Sequence, residues 1–217
     1  MIHKAVQVAQ SFATKKVLKQ FAQKFEFVYF GRVGAEDEYE LVRGITLTAH
    51  HLDMHFMVGN FRHHDITIVE RHTEATFPGK PTQSYRWLIM QFDLRRGGFC
   101  HTFFDAHHHD AVFYANFFLR FADFEEATAL FNRHDPLFTK HFKAFAPRAV
   151  FDEVWSTFTP QITGMLAHHF RQFDYEVNDD HLFVYASNAV ITMQLLQEMM
   201  RIGMWLADQL NAQPKTQ

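Results

Sequence analysis

The chain has 217 residues, 47% hydrophobic and 21% charged, which is enough apolar material for a buried core and excludes wholesale disorder. A formal net charge of -3 argues against nucleic acid as a partner, since that ligand calls for a basic surface. One cysteine, Cys100, permits no intrachain disulfide, and no signal peptide or apolar run of about 18 residues is visible, so a cytoplasmic protein is expected, attached at most to a membrane surface.

Residues 2–24 read as an amphipathic helix, with Ile2, Ala5, Val6, Ala9, Phe12, Ala13, Val17 and Phe21 at helical spacing opposite lysine and glutamine. Lys4, Lys15, Lys16, Lys19 and Lys24 face no acid within residues 1–25, so that segment carries +5 and the remainder -8. Phe25–Phe30 reads as a strand closed by Gly31 and Gly34, followed by an acidic turn at Glu36-Asp37-Glu38. From Gly44 an extended stretch places Ile45, Leu47, Leu52, Met54 and Phe56 between polar residues.

Gly59-Asn60 and the β-branched run Ile66–Val69 predict a hairpin with two open registers. A loop at Gly59-Asn60-Phe61 sets Leu52, Met54 and Phe56 against Ile68, Ile66 and His64. A turn at Arg62–His64 pairs Val58 with Val69 and Phe61 with Ile66. Phe77-Pro78-Gly79-Lys80-Pro81 is a loop. Tyr85–Leu94 is a strand apolar on both faces, which predicts a central position, and Phe99–Phe104 returns beside it after Arg95-Arg96-Gly97-Gly98.

Residues 111–121 read as helical, and Phe124–Phe131 is ambiguous. Asp135-Pro136 breaks the pattern before Phe138–Phe145 runs on to Pro147. Val150–Phe158 is a helix, and Pro160 takes the first position of the next. Phe173–Val177 and Leu182–Ala186 form a hairpin in which Phe173, Tyr175 and Val177 face Ala186, Val184 and Leu182. A final helix over 189–210 carries a stripe of Met193, Leu196, Met200, Gly203, Ala207 and Leu210. No linker divides the chain, so residues 1–217 are expected to form one α+β domain: a mainly antiparallel sheet with N- and C-terminal helices packed on it.

Sixteen histidines, clustered at His50-His51, His63-His64, His107-His108-His109 and His168-His169, accompany 26 phenylalanines. Neutral imidazole is a common metal ligand, so these clusters are the candidate chemistry. On an extended segment Asp105, His107 and His109 share a side and suit a divalent metal such as zinc. The competing reading is a polar loop with Asp110 as the N-cap of the following helix. A second candidate set is His51, Asp53 and His55, joined by His63 and Asp65 in the first register. Protonated neighbours within His107–His109 would repel, which predicts depressed folded pKa values there.

His134-Asp135 precedes Pro136 and reads as structural, as does His168-His169 near a helix end. Cys100 beside Phe99 reads as a buried strand thiol rather than a nucleophile. G-x-S-x-G, G-x-x-x-x-G-K-[ST] and G-x-G-x-x-G are absent, which disfavours serine hydrolases, P-loop enzymes and Rossmann dehydrogenases. Met193, Leu196, Met200 and Met204 on the last helix suit an adaptable partner or homodimer seam as well as a core.

The glycine-led turn into a strand, Gly59-Asn60-Phe61-Arg62-His63-His64-Asp65-Ile66, and the strand Trp87-Leu88-Ile89-Met90-Gln91-Phe92 carry a resemblance. So do Asp135-Pro136-Leu137-Phe138-Thr139-Lys140-His141-Phe142, Phe158-Thr159-Pro160 and Asp174–Tyr185. Together, from about Val58 to Tyr185, they resemble an uncharacterised bacterial family with a domain of unknown function. That resemblance implies no activity and no catalytic residues. The expected function is a non-enzymatic binding or scaffold module with a protein partner or a second copy. The alternatives are a small metal-dependent hydrolase using the His/Asp cluster, and a peripheral membrane-surface protein using its basic helix.

Overall fold

A computed structural model describes residues 2–32, 42–48, 51–76 and 78–213, with the side chains of residues 2–11 outside that description. The acidic turn Glu36-Asp37-Glu38, Gly34, His50 and Phe77 lie outside the described residues. The elements run α1 (Ile2–Phe25), β1 (Val28–Gly31), β2 (His51–Phe61), β3 (His64–Ala75), β4 (Gln83–Asp93), β5 (Phe99–Asp105), α2 (Ala111–Phe117) and β6 (Phe124–Glu126). They continue with α3 (Pro136–His141), β7 (Lys143–Pro147), α4 (Phe151–Thr157), α5 (Pro160–His169), β8 (Asp174–Asp179), β9 (His181–Ser187) and α6 (Met193–Asn211).

The strands form a nine-stranded sheet in the order β1-β2-β3-β4-β9-β8-β5-β7-β6, antiparallel at every join. The α+β architecture with terminal helices on the sheet follows directly. Alternation sends Leu88, Met90 and Phe92 of β4 to one face, where Leu196, Met199, Met200 and Leu206 of α6 and Leu18 and Phe21 of α1 cover them. Trp87 and Ile89 go to the other face, under Val112, Phe113 and Phe117 of α2 and under Val42 and Ile45. β4 is central, as its two apolar faces require.

Local sequence starts the helices. Asp110 accepts from Val112 and Phe113, Asp135 from Leu137, Thr159 from Ile162 and Thr192 from Leu195, each satisfying an amide that has no intrahelical partner. Pro136 and Pro160 occupy first-turn positions where a missing N–H costs nothing.

Four expectations need correction. Helix α1 continues through Phe25, and Glu26 in the left-handed region (φ 60) lets the Phe27 amide reach back to Ala22 O, so the strand starts only at Val28. The stripe of α1 is met only toward its end, where Phe21 is buried and Val17 packs on the core beside buried Leu18 and Ala22; Phe12 is 69% exposed, and the side chains of Ile2, Ala5, Val6 and Ala9 lie outside the description. The β2–β3 hairpin takes neither expected register, because its turn is Arg62-His63 and Phe61 pairs with His64. A bulge between Met54 and Met57, with His55 at φ 56, then shifts the pairing by one residue.

The fourth concerns β5, which does not pair with β4. It lies between β8 and β7, because the Leu94–Gly98 connection crosses the tip of the β8–β9 hairpin. There Leu94 N donates to Asp180 O and Gly98 N to Asp179 Oδ1.

Candidate metal centre

The crossing of β5 past the β8–β9 hairpin builds the site. Phe104 pairs with Tyr175, so the next position on each strand sets Asp105 opposite Asp174 on the α2 side of the sheet. Both carboxylates are buried, at 0% and 1% exposure. The chain after Asp105 then loops through His107 and His109 into the Asp110 cap of α2.

Each acid holds one imidazole. His107 Nδ1 lies 2.8 Å from Asp174 Oδ1, and His109 Nδ1 lies 2.9 Å from Asp105 Oδ1. The carboxylates are oriented by further donors: Ala106 N to Asp174, His107 N and His109 N to Asp105 at 2.8 Å each, and the Tyr114 hydroxyl to Asp105. The His109 ring stacks on Phe113, with centroids 3.9 Å apart, which fixes its plane. One ligand atom from each of Asp105, His107, His109 and Asp174 lies within 4.8 Å of those of the other three.

Electrostatics follow from this wiring. Burial alone would raise the Asp105 carboxyl, but hydrogen bonds and charge from His109, with the Tyr114 hydroxyl, hold it at about 2. Burial raises the Tyr114 phenol, and Asp105 raises it further. His107 corrects the expectation of depressed histidines in this cluster: burial pulls its pKa down, yet the hydrogen bond and charge of Asp174, then Asp105, raise it overall.

The expected trio Asp105, His107 and His109 is thus brought together, although on a loop rather than an extended segment. His108 turns away at φ 50 and reaches His141 O. The competing reading is borne out as well as the proximity of the trio, since Asp110 caps α2. Asp174 and Tyr114 were missed by sequence reasoning. The available signal was the alternation of β8, which puts Asp174 and Glu176 on the side opposite Tyr175 and Val177, so that two acids there require partners.

His51, Asp53 and His55 are not gathered into one ligand set. Both oxygens of Asp53 are taken by the Arg71 guanidinium, so that carboxylate already has its cation, and His51 Nε2 stands 3.9 Å off. The bulge sends His55 across the sheet to the Tyr29 hydroxyl and Glu70. His63 sits in the hairpin turn, and Asp65 accepts from Asn60. His134 meets Thr163, and His168 pairs with Asp135. The half-buried Cys100 thiol is raised by burial and by Glu153, which suppresses the thiolate a nucleophile needs. On α6, Leu196 and Met200 are buried in the chain's own core, with Met193 and Met204 partly buried against it.

Cavities of about 410 Å³ (beside Arg43, Gln91, Asp180, His181 and Phe183) and about 460 Å³ (beside Leu52, His72, Tyr85 and Arg86) are lined by none of the centre's four residues. No helix among the described residues is long and apolar enough to cross a membrane.

No protein-family model matches the chain, and no curated protein matches it. Among solved structures, the crystal structure of the mycobacterial trehalose monomycolate transport factor A, TtfA, is similar at a TM-score of 0.64 and 10% identity. The alignment covers 94% of this chain and 98% of that one, so the likeness is one of fold over nearly the whole of both.

Proposed function

We propose that the chain is a non-enzymatic binding module that serves a transport process as an accessory factor. The observation that carries this reading is the end-to-end fold likeness to a transport factor, which leaves no large part of either chain unmatched. Fold alone does not determine activity, so the site must agree with the reading. It does: Cys100 is held as a thiol, and the cavities of about 410 and 460 Å³ are lined by none of the His/Asp residues. Exposed Leu119, Trp155 and Val190 offer apolar contact to a partner.

The test uses the whole chain without an affinity tag. Ester, amide and phosphoester hydrolysis, with and without zinc, should not exceed that of His107→Ala protein. A photo-crosslinking residue at Leu119 or Trp155 should capture a discrete protein partner from a transport system in cells. Zinc-dependent turnover abolished by His107→Ala would overturn this reading in favour of a small metal-dependent hydrolase.

A second reading rests on one specific observation. Phe12 lies exposed on α1 with Lys15, Lys16 and Lys19, also exposed, on the following turns. An aromatic ring beside lysines is the composition of a helix that rests on anionic lipid. Such a surface would place the binding module at a membrane.

A further inference from the structure

We propose that Asp105, His107, His109 and Asp174 together bind one divalent first-row cation, zinc fitting best, and that this ion ties the ends of β5 and β8 to the start of α2. The proposal goes beyond the binding role, and its failure would leave that role standing.

Charge makes the first argument. Asp105 and Asp174 face each other at the ends of neighbouring strands, and both are buried. Like charges directly opposite across a ladder destabilise it, and burial removes the water that would screen them. Lys143, opposite Asp105 on the β7 side, directs its ammonium toward the Tyr114 ring, 5.8 Å from the centroid. The ion-pair partners of the two acids are His109 and His107. A dication supplies both positive charges at once and uses the imidazoles in the neutral form that ligates metal.

Donor chemistry makes the second. Two imidazole nitrogens and two carboxylate oxygens form a set that zinc accepts at bond lengths of about 2.0–2.2 Å. Tetrahedral ligation at those lengths spaces the donors about 3.3 Å apart. The present limit of 4.8 Å therefore has to close by about 1.5 Å, which torsions in the 106–109 loop can supply.

The surroundings make the third. Ala106 N, His107 N, His109 N and the Tyr114 hydroxyl already orient the carboxylates, as the outer shell of a metal site does, and Phe113 fixes the His109 ring. The His107 side chain is 34% exposed, which gives an ion its path in.

The experiment takes the tag-free whole chain, strips it with chelator, and titrates it with cobalt(II) and then zinc. The expected result is one cobalt per chain with visible d–d absorption of tetrahedral strength, displaced by one zinc that survives desalting. His107→Ala and Asp174→Asn should each weaken zinc binding by about tenfold or more, while His168→Ala/His169→Ala binds as the parent does. Should either first variant fail to fold, His109→Gln and the parent's own cobalt spectrum decide. Metal-free protein after zinc exposure would overturn the proposal, leaving two Asp–His hydrogen bonds that tie the loop without an ion. Equal loss of zinc in the His168/His169 control would also overturn it, as adventitious binding to surface histidines.

Discussion

Arg71 grips Asp53 with two parallel hydrogen bonds, Nε to Oδ1 at 2.7 Å and Nη2 to Oδ2 at 2.6 Å, from a fully buried position in β3. The same guanidinium donates to Val42 O at 2.7 Å and to Thr46 Oγ1 at 3.2 Å, so one side chain both neutralises β2 and straps residues 42–48 across the sheet. Glu176 holds the strap from the other side, accepting from the Ile45 amide at 2.7 Å.

Arg71→Met should therefore cost about 3–5 kcal/mol, because it leaves Asp53 without its partner and strips the donors from Val42 O and Thr46. Chemical denaturation reads the loss. Hydrogen exchange should show protection falling first at residues 42–48. Arg71→Met/Asp53→Leu should recover part of the stability, since no unpaired carboxylate remains. A double variant as unstable as the single would contradict the charge argument.

How far the sequence foretells this molecule varies element by element. The β8–β9 register is legible, Tyr175 opposite Val184 and Val177 opposite Leu182, because a two-residue turn at Asp179-Asp180 joins two cleanly alternating strands. The β2–β3 register is not, because its turn falls at Arg62-His63 rather than at Gly59-Asn60, and the bulge at His55 then adds a residue that no apolar pattern marks. The place of β5 is hidden for a different reason. Arg95–Gly98 looks like any hairpin turn, and only the later β8–β9 hairpin, inserted beside β4, displaces Phe99–Asp105 to the far side. The candidate centre divides the same way: spacing reveals Asp105, His107 and His109, whereas Asp174 arrives through that long-range pairing.

Helix α6 should tolerate little change where it meets the sheet. A Cβ at Gly203 would stand 2.0 Å from Phe92 Cε2, and that ring is itself fully buried. Gly203→Ala should destabilise by about 1–3 kcal/mol despite its better helix propensity, because the ring has no free space to enter. Met200→Asp places an unpaired charge at a position 4% exposed and should cost several kcal/mol. Thermal melts check both, and unchanged melting temperatures would contradict the burial of this face.

Acid should weaken the fold through His64 and His55. Burial lowers the pKa of both, against the raising pull of Asp208 on His64 and of Glu70 on His55. Their unfolded pKa is about 6.5, so below it the unfolded chain takes up protons that the folded chain resists. Stability from these groups is thus fully present above about pH 6.5 and falls as pH drops toward their folded values. His64→Phe should flatten the profile in this window by at most about 1.4 kcal/mol per pH unit, as read by denaturation at a series of pH values. An unchanged slope would remove His64 as a contributor.

If α1 rests on anionic lipid, vesicles containing phosphatidylserine should retain the chain at low salt and release it at high salt. Each lysine near such a surface contributes about 1 kcal/mol, so a Lys15→Glu/Lys16→Glu/Lys19→Glu chain should bind at least about a hundredfold more weakly. Phe12→Ser should weaken binding with little change in its salt dependence. Failure of the parent chain to bind such vesicles would contradict the membrane-surface reading.

The centre between β5 and β8 is tested most directly by diffraction from zinc-soaked crystals of the tag-free chain, recorded on both sides of the zinc absorption edge. One anomalous peak among Asp105, His107, His109 and Asp174, within about 2.0–2.2 Å of a donor atom from each, is the predicted result. A zinc peak at other histidines with none among these four would contradict it.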